Sequence, residues 1–326
     1  MKRLRRHVPL LASLAVYVLL YAVAANRYYD DNFLSLRVFV NFFSDNAALG
    51  VVAIGMTFVI LSGGIDLSVG SVVAMCGIVI AVLMQRGWSP PPAFAAALAL
   101  GTLLGLGMGG IIHRLGIAPF IVTLAGLFFA RGLALIIHTG SLPIHHPTQT
   151  ALSDWGIPLT DKVSLPLTAV VFLVLCLLGT YVSLMTRFGR SVYAIGGNEE
   201  SARLMGLRVG RTKILVYGVS GFCAALGAVL ATVYQLSGNS RYGVGMELDA
   251  IAAVVVGGTL LTGGVGTVPG TLVGVLIFAI IKTGIDFEGD LDSAWTRVAI
   301  GLLLLIFIVL QRVVAGAGRA PSARPG

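Results

Sequence analysis

Apolar residues occur in ten long runs along the chain, separated by short polar segments. Each run approaches the roughly 20 residues that a helix needs to cross a membrane. Backbone groups in lipid must hydrogen-bond within the protein, so runs of this length are expected to be helical. The runs cover residues 8–25, 44–62, 67–85, 93–112, 117–138, 164–185, 214–236, 247–263, 267–284 and 294–311. The pattern predicts an all-α polytopic membrane protein with about ten transmembrane helices, forming a single membrane domain over residues 1–315.

The polar segment after the second run is partly repeated about 200 residues later. There Ser62-Gly-Gly-Ile-Asp-Leu-Ser-Val-Gly-Ser71 aligns without a gap with Thr262-Gly-Gly-Val-Gly-Thr-Val-Pro-Gly-Thr271. Both copies lie between apolar runs, and paired glycines disfavour a continuous helix. Transporters use such duplicated breaks to place polar backbone along a solute path. The two copies predict a parallel internal repeat with broken helices.

The breaks contain the polar groups that could line such a path. Asp66 is placed to cap the helix after the first break, and Thr267 to cap the helix after the second. Alternatively, both breaks are tight turns between spans, and capping is the favoured role of Asp66. Arg131 lies in an apolar run, where its charge needs a cavity, a partner or an outward reach to the membrane surface. The predicted pathway residues are Asn46, Ser62, Gly63, Gly64, Asp66, Ser68, Arg131, Thr262, Gly263, Gly264 and Thr267.

Composition excludes a soluble protein and suggests an orientation. The chain is 57% hydrophobic and 11% charged, whereas globular proteins carry about 25% charged residues. The net charge of +8 is interpreted as a topology signal, because basic and acidic residues favour alternate loops. Both termini are predicted to be cytoplasmic, and the first run is predicted to be a retained span rather than a cleaved signal. Residues 316–326 are predicted to form a disordered tail.

Residues 186–213 form the one sizeable loop on the predicted cytoplasmic side. Asn198 is a favourable N-cap, Glu199 and Glu200 suit the first turn of a helix, and Gly206 suits its end. The helix between them has barely two turns, which is too short to be stable alone in water. It therefore folds back on its own membrane domain, lies on lipid headgroups through Arg203 and Arg208, or docks a soluble subunit.

Other motifs give no catalytic prediction. Gly105-Leu-Gly-Met-Gly-Gly110 matches a dinucleotide fingerprint, but no strand precedes it, so with Gly101 it predicts close helix packing instead. The sequence contains no GxxxxGK[ST] motif, so the chain is not predicted to hydrolyse nucleotide itself. Cys76, Cys176 and Cys223 are interpreted as buried apolar residues. No catalytic residue, bound cofactor or metal is predicted.

Three blocks resemble the membrane permease subunits of bacterial ABC importers for monosaccharides, of the ribose and galactofuranose type. They cover residues 55–71, 187–206 and 257–267, and residues 120–132 are also similar to the family. The resemblance extends over nearly the whole chain. Many members carry a basic residue in place of Val265, and the stretch Val265-Gly-Thr267 is similar to the second permease of galactofuranose importers.

The resemblance implies an inner-membrane permease of ten helices that pairs with an identical or paralogous permease. A cytoplasmic ATP-binding subunit, which carries ATP and Mg²⁺, would dock on the 198–206 helix, and a periplasmic sugar-binding protein would deliver the sugar. The chain would contact lipid but not nucleic acid. Replacing Gly197 or Gly206 by a bulky residue is expected to stop transport. The implied coupling residues are Gly189, Gly196, Gly197, Asn198, Glu199, Ser201, Ala202 and Gly206.

Two rival functions stay open at the level of sequence. An ion-coupled secondary sugar transporter should carry mid-membrane carboxylates or histidines as relays, and the chain offers almost none apart from Asp66. A polytopic membrane enzyme should cluster nucleophiles or metal ligands at one membrane face, and no such cluster is evident in the sequence.

Overall fold

The structure is a computed structural model, and it describes residues 2–289 and 294–317. Each of the ten apolar runs coincides with a helix. The helices are α1 (Lys2–Arg27), α2 (Leu36–Ser44), α3 (Ala47–Leu61), α4 (Val69–Gln85), α5 (Pro90–Leu115), α6 (Pro119–Ile137), α7 (Pro147–Asp154), α8 (Leu167–Met185), α9 (Arg187–Gly197), α10 (Glu199–Leu204), α11 (Val209–Gln235), α12 (Met246–Val256), α13 (Val268–Glu288) and α14 (Ala294–Ala317). The strands are β1 (Ser141–Pro143), β2 (Gly156–Thr160), β3 (Val163–Pro166) and β4 (Ser237–Asn239).

Fewer helices than expected are long enough to cross a membrane. Within the described ranges, six qualify by length and apolar character, namely α1, α5, α6, α8, α11 and α13. The pair α2 and α3, bent by 51°, makes a seventh if it forms one span. Helix α12 ends at Val256 instead of continuing to residue 263, because the chain turns there and Gly258 adopts a φ of 92°. The chain is thus a mostly helical, multi-pass membrane protein, and ten spans are not confirmed.

Helix α3 is the central helix of the bundle. All of its residues except Leu49 are buried, as expected for a helix that is apolar on every side. It packs against α8, α11, α12 and α13, and α11 in turn packs against α4 and α5. The first break, at the end of α3, is therefore held inside the bundle.

Close glycine packing joins α5 to α11. Gly101, Gly105 and Gly109 follow one face of α5, and each lies directly against the α11 backbone. A Cβ on Gly109 would lie 2.9 Å from the Cα of Ile214. Gly107 belongs to the same glycine motif but has open space around it. The prediction that these glycines allow close helix packing is confirmed for the three that share a face.

The two long loops are more ordered than the sequence indicated. The loop over residues 139–163 contains α7 and two strands, with β1 pairing antiparallel with β4 and β2 with β3. The loop over residues 186–213 contains α9 as well as the predicted short helix α10. The described residues nevertheless remain mostly helical, in agreement with the predicted all-α class, and the four strands are only three to five residues long. The predicted tail, residues 316–326, lies outside the described residues from 318 onward, and its first two residues end α14.

Candidate functional site

The two glycine breaks are in direct contact, although about 200 residues separate them in the sequence. The first break joins α3 to α4, and the second joins α12 to α13. The amide nitrogen of Gly264 donates a hydrogen bond to the carbonyl oxygen of Leu61 over 2.9 Å. A Cβ on Gly263 would lie only 2.9 Å from the amide nitrogen of Gly63. The structure therefore brings the two repeated segments together, backbone against backbone.

Backbone conformation explains why glycine occupies both breaks. Gly63, Gly263 and Gly264 have φ values of 82°, 84° and 73°, in the left-handed region that favours glycine. Gly64 is required for a different reason, because a Cβ there would collide with the hydroxyl of Tyr217. The breaks thus depend on glycine both for their turns and for their close approach to neighbouring elements.

Asp66 ties the first break to α11. Its Oδ1 accepts hydrogen bonds from the amide and hydroxyl of Ser68 over 2.9 and 2.6 Å, and its Oδ2 accepts one from the hydroxyl of Ser220 over 2.7 Å. The residue is completely buried. Ser68, whose amide donates to Asp66, immediately precedes the first residue of α4. Asp66 therefore orders the turn that leads into α4 and does not cap the first helical turn, as the sequence had predicted it would. Both oxygens are engaged inside the protein, which makes Asp66 a structural residue in this conformation.

The second break uses the predicted cap. Thr267 adopts extended backbone before α13, and its hydroxyl accepts a hydrogen bond from the amide of Gly270 over 3.1 Å. Pro269 lies in the first turn of α13, where its missing amide proton costs no hydrogen bond. The cap predicted for Thr267 is confirmed.

A cavity of about 350 Å³ opens between the two breaks and the loop over residues 186–213. This volume is near the lower end of the range of roughly 300–1,000 Å³ found for small-molecule pockets. The hydroxyl of Tyr217 is buried beside it, with no hydrogen-bond partner in the described part of the chain. Such a group calls for water or a polar ligand. The cavity is lined by Ser62, Gly63, Gly64, Ile112, Pro119, Ile195, Gly196, Glu199, Lys213, Tyr217 and Thr262.

Helix α9 connects the loop over residues 186–213 to both breaks. Its C-terminal Gly196 lies against the carbonyl oxygen of Leu61, and a Cβ there would be 2.6 Å from the amide nitrogen of Gly264. The hydroxyl of Tyr193 donates a hydrogen bond to the carbonyl of Gly266 over 2.8 Å. The α9 C-terminus, the first break and the second break therefore form a three-way backbone junction, which we call the glycine junction.

At the start of α9, Gly189 is also a close-contact glycine. Thr186 caps the helix by accepting a hydrogen bond from the Gly189 amide over 3.1 Å. A Cβ on Gly189 would collide with the carbonyl oxygens of Val182 and Ser183 in the last turn of α8. Gly189 therefore fixes the sharp turn from α8 into α9.

Helix α10 has the boundaries that the sequence predicts. The Asn198 side chain accepts a hydrogen bond from the Ser201 amide over 2.7 Å, and Gly206 ends the helix with a φ of 79°. Ala202 is fully buried against Ile195 and Val209, so the helix rests on its own membrane domain. On the other side, Leu204 and Met205 are 84% and 70% exposed. Exposed apolar residues beside a short, surface-mounted helix are typical of a protein contact.

An ion pair fastens α10 to the start of α11. The ammonium of Lys213 lies 2.6 Å from the Glu199 carboxylate, and Arg203 lies 3.2 Å from the same carboxylate. The hydrogen bond from Lys213 lowers the pKa of Glu199 below its ordinary value. Glu199 therefore stays ionised, and bound to Lys213, at neutral pH.

Two predicted pathway residues lie away from the glycine junction. Asn46 precedes α3 at the bend with α2 and donates to the carbonyl of Phe42 over 3.0 Å. The length of α3 places it roughly 22 Å from the first break. Arg131 donates from Nη1 to the carbonyls of Ser240 and Tyr242 over 2.7 and 3.0 Å. The sequence left a cavity, a partner or an outward reach open for Arg131. The structure shows a partner, because Arg131 binds the backbone of the connection that leads into α12.

A family model described as "Branched-chain amino acid transport system / permease component" matches residues 38–309. The chain belongs to this permease family. It is 47% identical over 312 residues to the inner membrane ABC transporter permease protein YjfF of Escherichia coli K12, covering 95% of this chain and 93% of that protein. It is 38% identical over 323 residues to the fructose import permease protein FruG of Bifidobacterium longum, covering 96% and 93%. It is 35% identical over 301 residues to the ribose import permease protein RbsC of Escherichia coli K12, covering 91% and 92%.

These matches confirm the predicted resemblance to permeases of ABC importers. The sequence did not reveal three residues that lie at the glycine junction or its adjoining cavity, namely Tyr217, Tyr193 and Lys213. Tyr217 and Ser220 lie one turn apart on α11, and this polar pair within an apolar run was the available signal. No local pattern pairs Tyr193 with the second break or Lys213 with Glu199, because those contacts join distant segments.

Proposed function

We propose that the chain is the membrane-spanning subunit of an ABC importer for a monosaccharide, galactofuranose or a similar sugar. The fructose and ribose import permeases among its relatives support a sugar as the cargo. The stretch Val265-Gly-Thr267, which follows the second glycine pair, supports the galactofuranose branch. A neutral sugar requires hydroxyl and backbone partners rather than a countercharge. The cavity beside the glycine junction offers the hydroxyls of Ser62, Tyr217 and Thr262, and its two charged lining residues, Glu199 and Lys213, are paired with each other.

The glycine junction carries this proposal. Sugar would pass beside the cavity between the two breaks, and α9 and α10 would form the handle on which a partner acts. Because Gly196 contacts both Leu61 and Gly264, displacement of the handle must move or separate the breaks. Packed backbones of this kind have discrete arrangements rather than continuous ones, which suits a gate that alternates between two states.

The handle offers a defined surface to the partner. An ATP-binding subunit would dock on α10 around the exposed Leu204 and Met205, and ATP and Mg²⁺ would bind to that subunit. A second permease would complete the pathway, and a periplasmic binding protein would supply the sugar at the opposite end. Both termini would lie in the cytoplasm, on the same side of the membrane as the handle.

Reconstitution tests the proposal directly. The permease, its ATPase and its sugar-binding protein are placed in proteoliposomes, and uptake of labelled galactofuranose, ribose and fructose is followed. We expect uptake to require ATP and to persist when ionophores collapse every ion gradient. Uptake that follows a proton or sodium gradient without ATP contradicts the proposal and favours a secondary transporter.

The position of Asp66 already argues against that rival. A proton or ion relay needs a carboxylate that can exchange its partner during the cycle. Asp66 is fully buried, and three hydrogen bonds from Ser68 and Ser220 occupy its oxygens. An importer driven from the handle needs no such relay.

A further inference from the structure

A second polar cavity lies at the end of α3 remote from the glycine junction. It adjoins the bend between α2 and α3, and its volume is about 320 Å³. The length of α3 separates it from the junction by roughly 22 Å. We call it the bend cavity. Its polar lining consists of Asn41, Ser44, Asp45, Ser153, Thr168 and Tyr234.

The lining chemistry restricts the ligand that the bend cavity can hold. The described residues around it include one carboxylate, one amide, hydroxyls and a phenol, but no Lys, Arg or His. An anion would therefore lack a countercharge. Leu152, Pro166, Leu167 and Val233 supply apolar surface between these groups. Neutral sugars combine hydroxyls with apolar C–H faces, and this mixture of acceptors, donors and apolar surface matches them.

Two polar groups in the bend cavity have unused hydrogen-bonding capacity. Asp45 Oδ1 accepts hydrogen bonds from Tyr234 over 3.0 Å and from Ser44 over 3.2 Å. Its Oδ2 accepts none from the described residues, and the carboxylate is exposed to the cavity mouth. Thr168 is only 3% exposed, and its hydroxyl has no partner among the described residues. A buried hydroxyl without a partner is unfavourable unless something else satisfies it.

We propose that the bend cavity is a low-affinity binding site for a neutral monosaccharide, at the opposite end of the pathway from the glycine junction. The proposal rests on the proposed sugar-import function and adds a position for the sugar before it reaches the breaks. The Asp45 carboxylate accepts hydrogen bonds from sugar hydroxyls, and Thr168 completes the polar set. The Tyr234 ring supplies apolar contact, and its hydroxyl orients the Asp45 carboxylate through the bond to Oδ1. A few such contacts support binding in the millimolar range.

Ligand-observed NMR on the full-length permease, assembled with its ATPase in lipid nanodiscs without binding protein, tests this site. The probes are methyl galactofuranoside, ribose and fructose, with ribose 5-phosphate as the charged comparison. We expect saturable binding of at least one neutral sugar and at least tenfold weaker binding of the phosphate. Asp45→Asn, Thr168→Val and Tyr234→Phe should each weaken sugar binding about five- to tenfold.

Two control variants remove the same kinds of group, a threonine hydroxyl and a tyrosine hydroxyl, at positions on α8 outside the bend cavity. Thr180→Val deletes a threonine hydroxyl that bonds the Cys176 carbonyl, and Tyr181→Phe deletes an exposed phenol hydroxyl. Both should leave sugar binding unchanged. Thr168→Val also separates binding from folding, because replacing an unpartnered buried hydroxyl by a methyl group should preserve or raise the melting temperature.

The proposal is overturned if no neutral sugar binds saturably or if the phosphate binds as well as the sugar. It is also overturned if Thr168→Val and Tyr234→Phe bind like their two controls and Asp45→Asn binds like the parent. Weaker binding with an unchanged melting temperature in Thr168→Val supports it. If sugar is taken up in proteoliposomes with ATP but no sugar binding at the bend cavity is detected, the bend-cavity proposal alone is contradicted. Failure of every sugar to be taken up contradicts the proposed function itself.

Discussion

Substitution of Gly196 by alanine tests whether the handle and the two breaks act as one unit. A Cβ at this position would collide with the carbonyl oxygen of Leu61 and lie 2.6 Å from the amide nitrogen of Gly264. Both neighbours are backbone atoms, so neither can rotate away. Ordinary van der Waals contact starts at about 3.4 Å, so the Gly264 amide must retreat by about 0.8 Å.

The cost of this displacement follows from its two parts. Overpacking a close-packed site typically costs about 1–3 kcal/mol. The retreat also weakens the hydrogen bond from Gly264 to Leu61, which contributes a net of about 0.5–1.5 kcal/mol. We therefore expect Gly196→Ala to destabilise the junction by roughly 2–4 kcal/mol. A tenfold change in an equilibrium corresponds to about 1.4 kcal/mol, so ATP-driven uptake should fall at least tenfold.

Gly197→Ala provides the control on the adjacent residue. No heavy atom of the described chain lies within 4 Å of a Cβ there, and the residue is helical. Alanine at such a position is tolerated and can stabilise by about 0.4–1 kcal/mol. The expectation that a bulky residue in place of Gly197 stops transport therefore has no steric basis among the described residues of this chain. Gly206 differs, because its φ of 79° strains any other residue.

The assay compares the melting temperature and the reconstituted uptake of both variants at equal membrane insertion. Gly196→Ala should melt several degrees below the parent and transport poorly, whereas Gly197→Ala should match the parent in stability. Equal stability and equal uptake for the two variants would show that α9 does not transmit force through the glycine junction.

Three further changes test individual contacts. Asp66→Asn keeps an acceptor for Ser68 and should largely retain uptake. Asp66→Leu leaves buried donors unsatisfied at about 1–3 kcal/mol each and should reduce both detergent stability and uptake; similar results for the two variants would refute the role of Asp66 in ordering the turn before α4. Arg131→Met should increase hydrogen exchange around Tyr242, because both guanidinium bonds are lost, and unchanged exchange would contradict that tether. The Glu199–Lys213 pair should hold α10 above the ordinary pKa of a free glutamate and release it as the pH falls through the lowered folded pKa of Glu199. The protection factors of the α10 amides should therefore fall on acidification in the parent but not in Glu199→Gln.

Local signals in the sequence were sufficient for several parts of the site. The cap at Asn198, the end at Gly206 and the cap at Thr267 each depend on a few consecutive residues. The contact between α5 and α11 follows from glycines spaced four residues apart, which is also a local pattern. These features were predictable because their physical cause is contained within one or two helical turns.

Other features depend on contacts that no window of sequence contains. The α12 segment has the apolar length of a span, but it turns at Val256 where α12 and the following segment pack against α13. Helix α9 is stabilised by its contacts with both breaks, so its own composition does not indicate it. The partners of Arg131 lie more than 100 residues away in the sequence. Tertiary packing, rather than local helix propensity, determines where α12 ends, why α9 forms and what Arg131 binds.

The connections of the handle suggest how one short helix can act on two breaks. Helix α9 precedes α10 and holds the second break through the bond from Tyr193 to Gly266. Helix α11 follows α10 and holds the first break through the bond from Ser220 to Asp66. Because α10 lies between α9 and α11 and is fixed to α11 by the Glu199 ion pair, a shift of α9 relative to α11 would act on the first break through Ser220 and on both breaks through Gly196. The two similar turns of the repeat are thus both attached to the helices that flank α10.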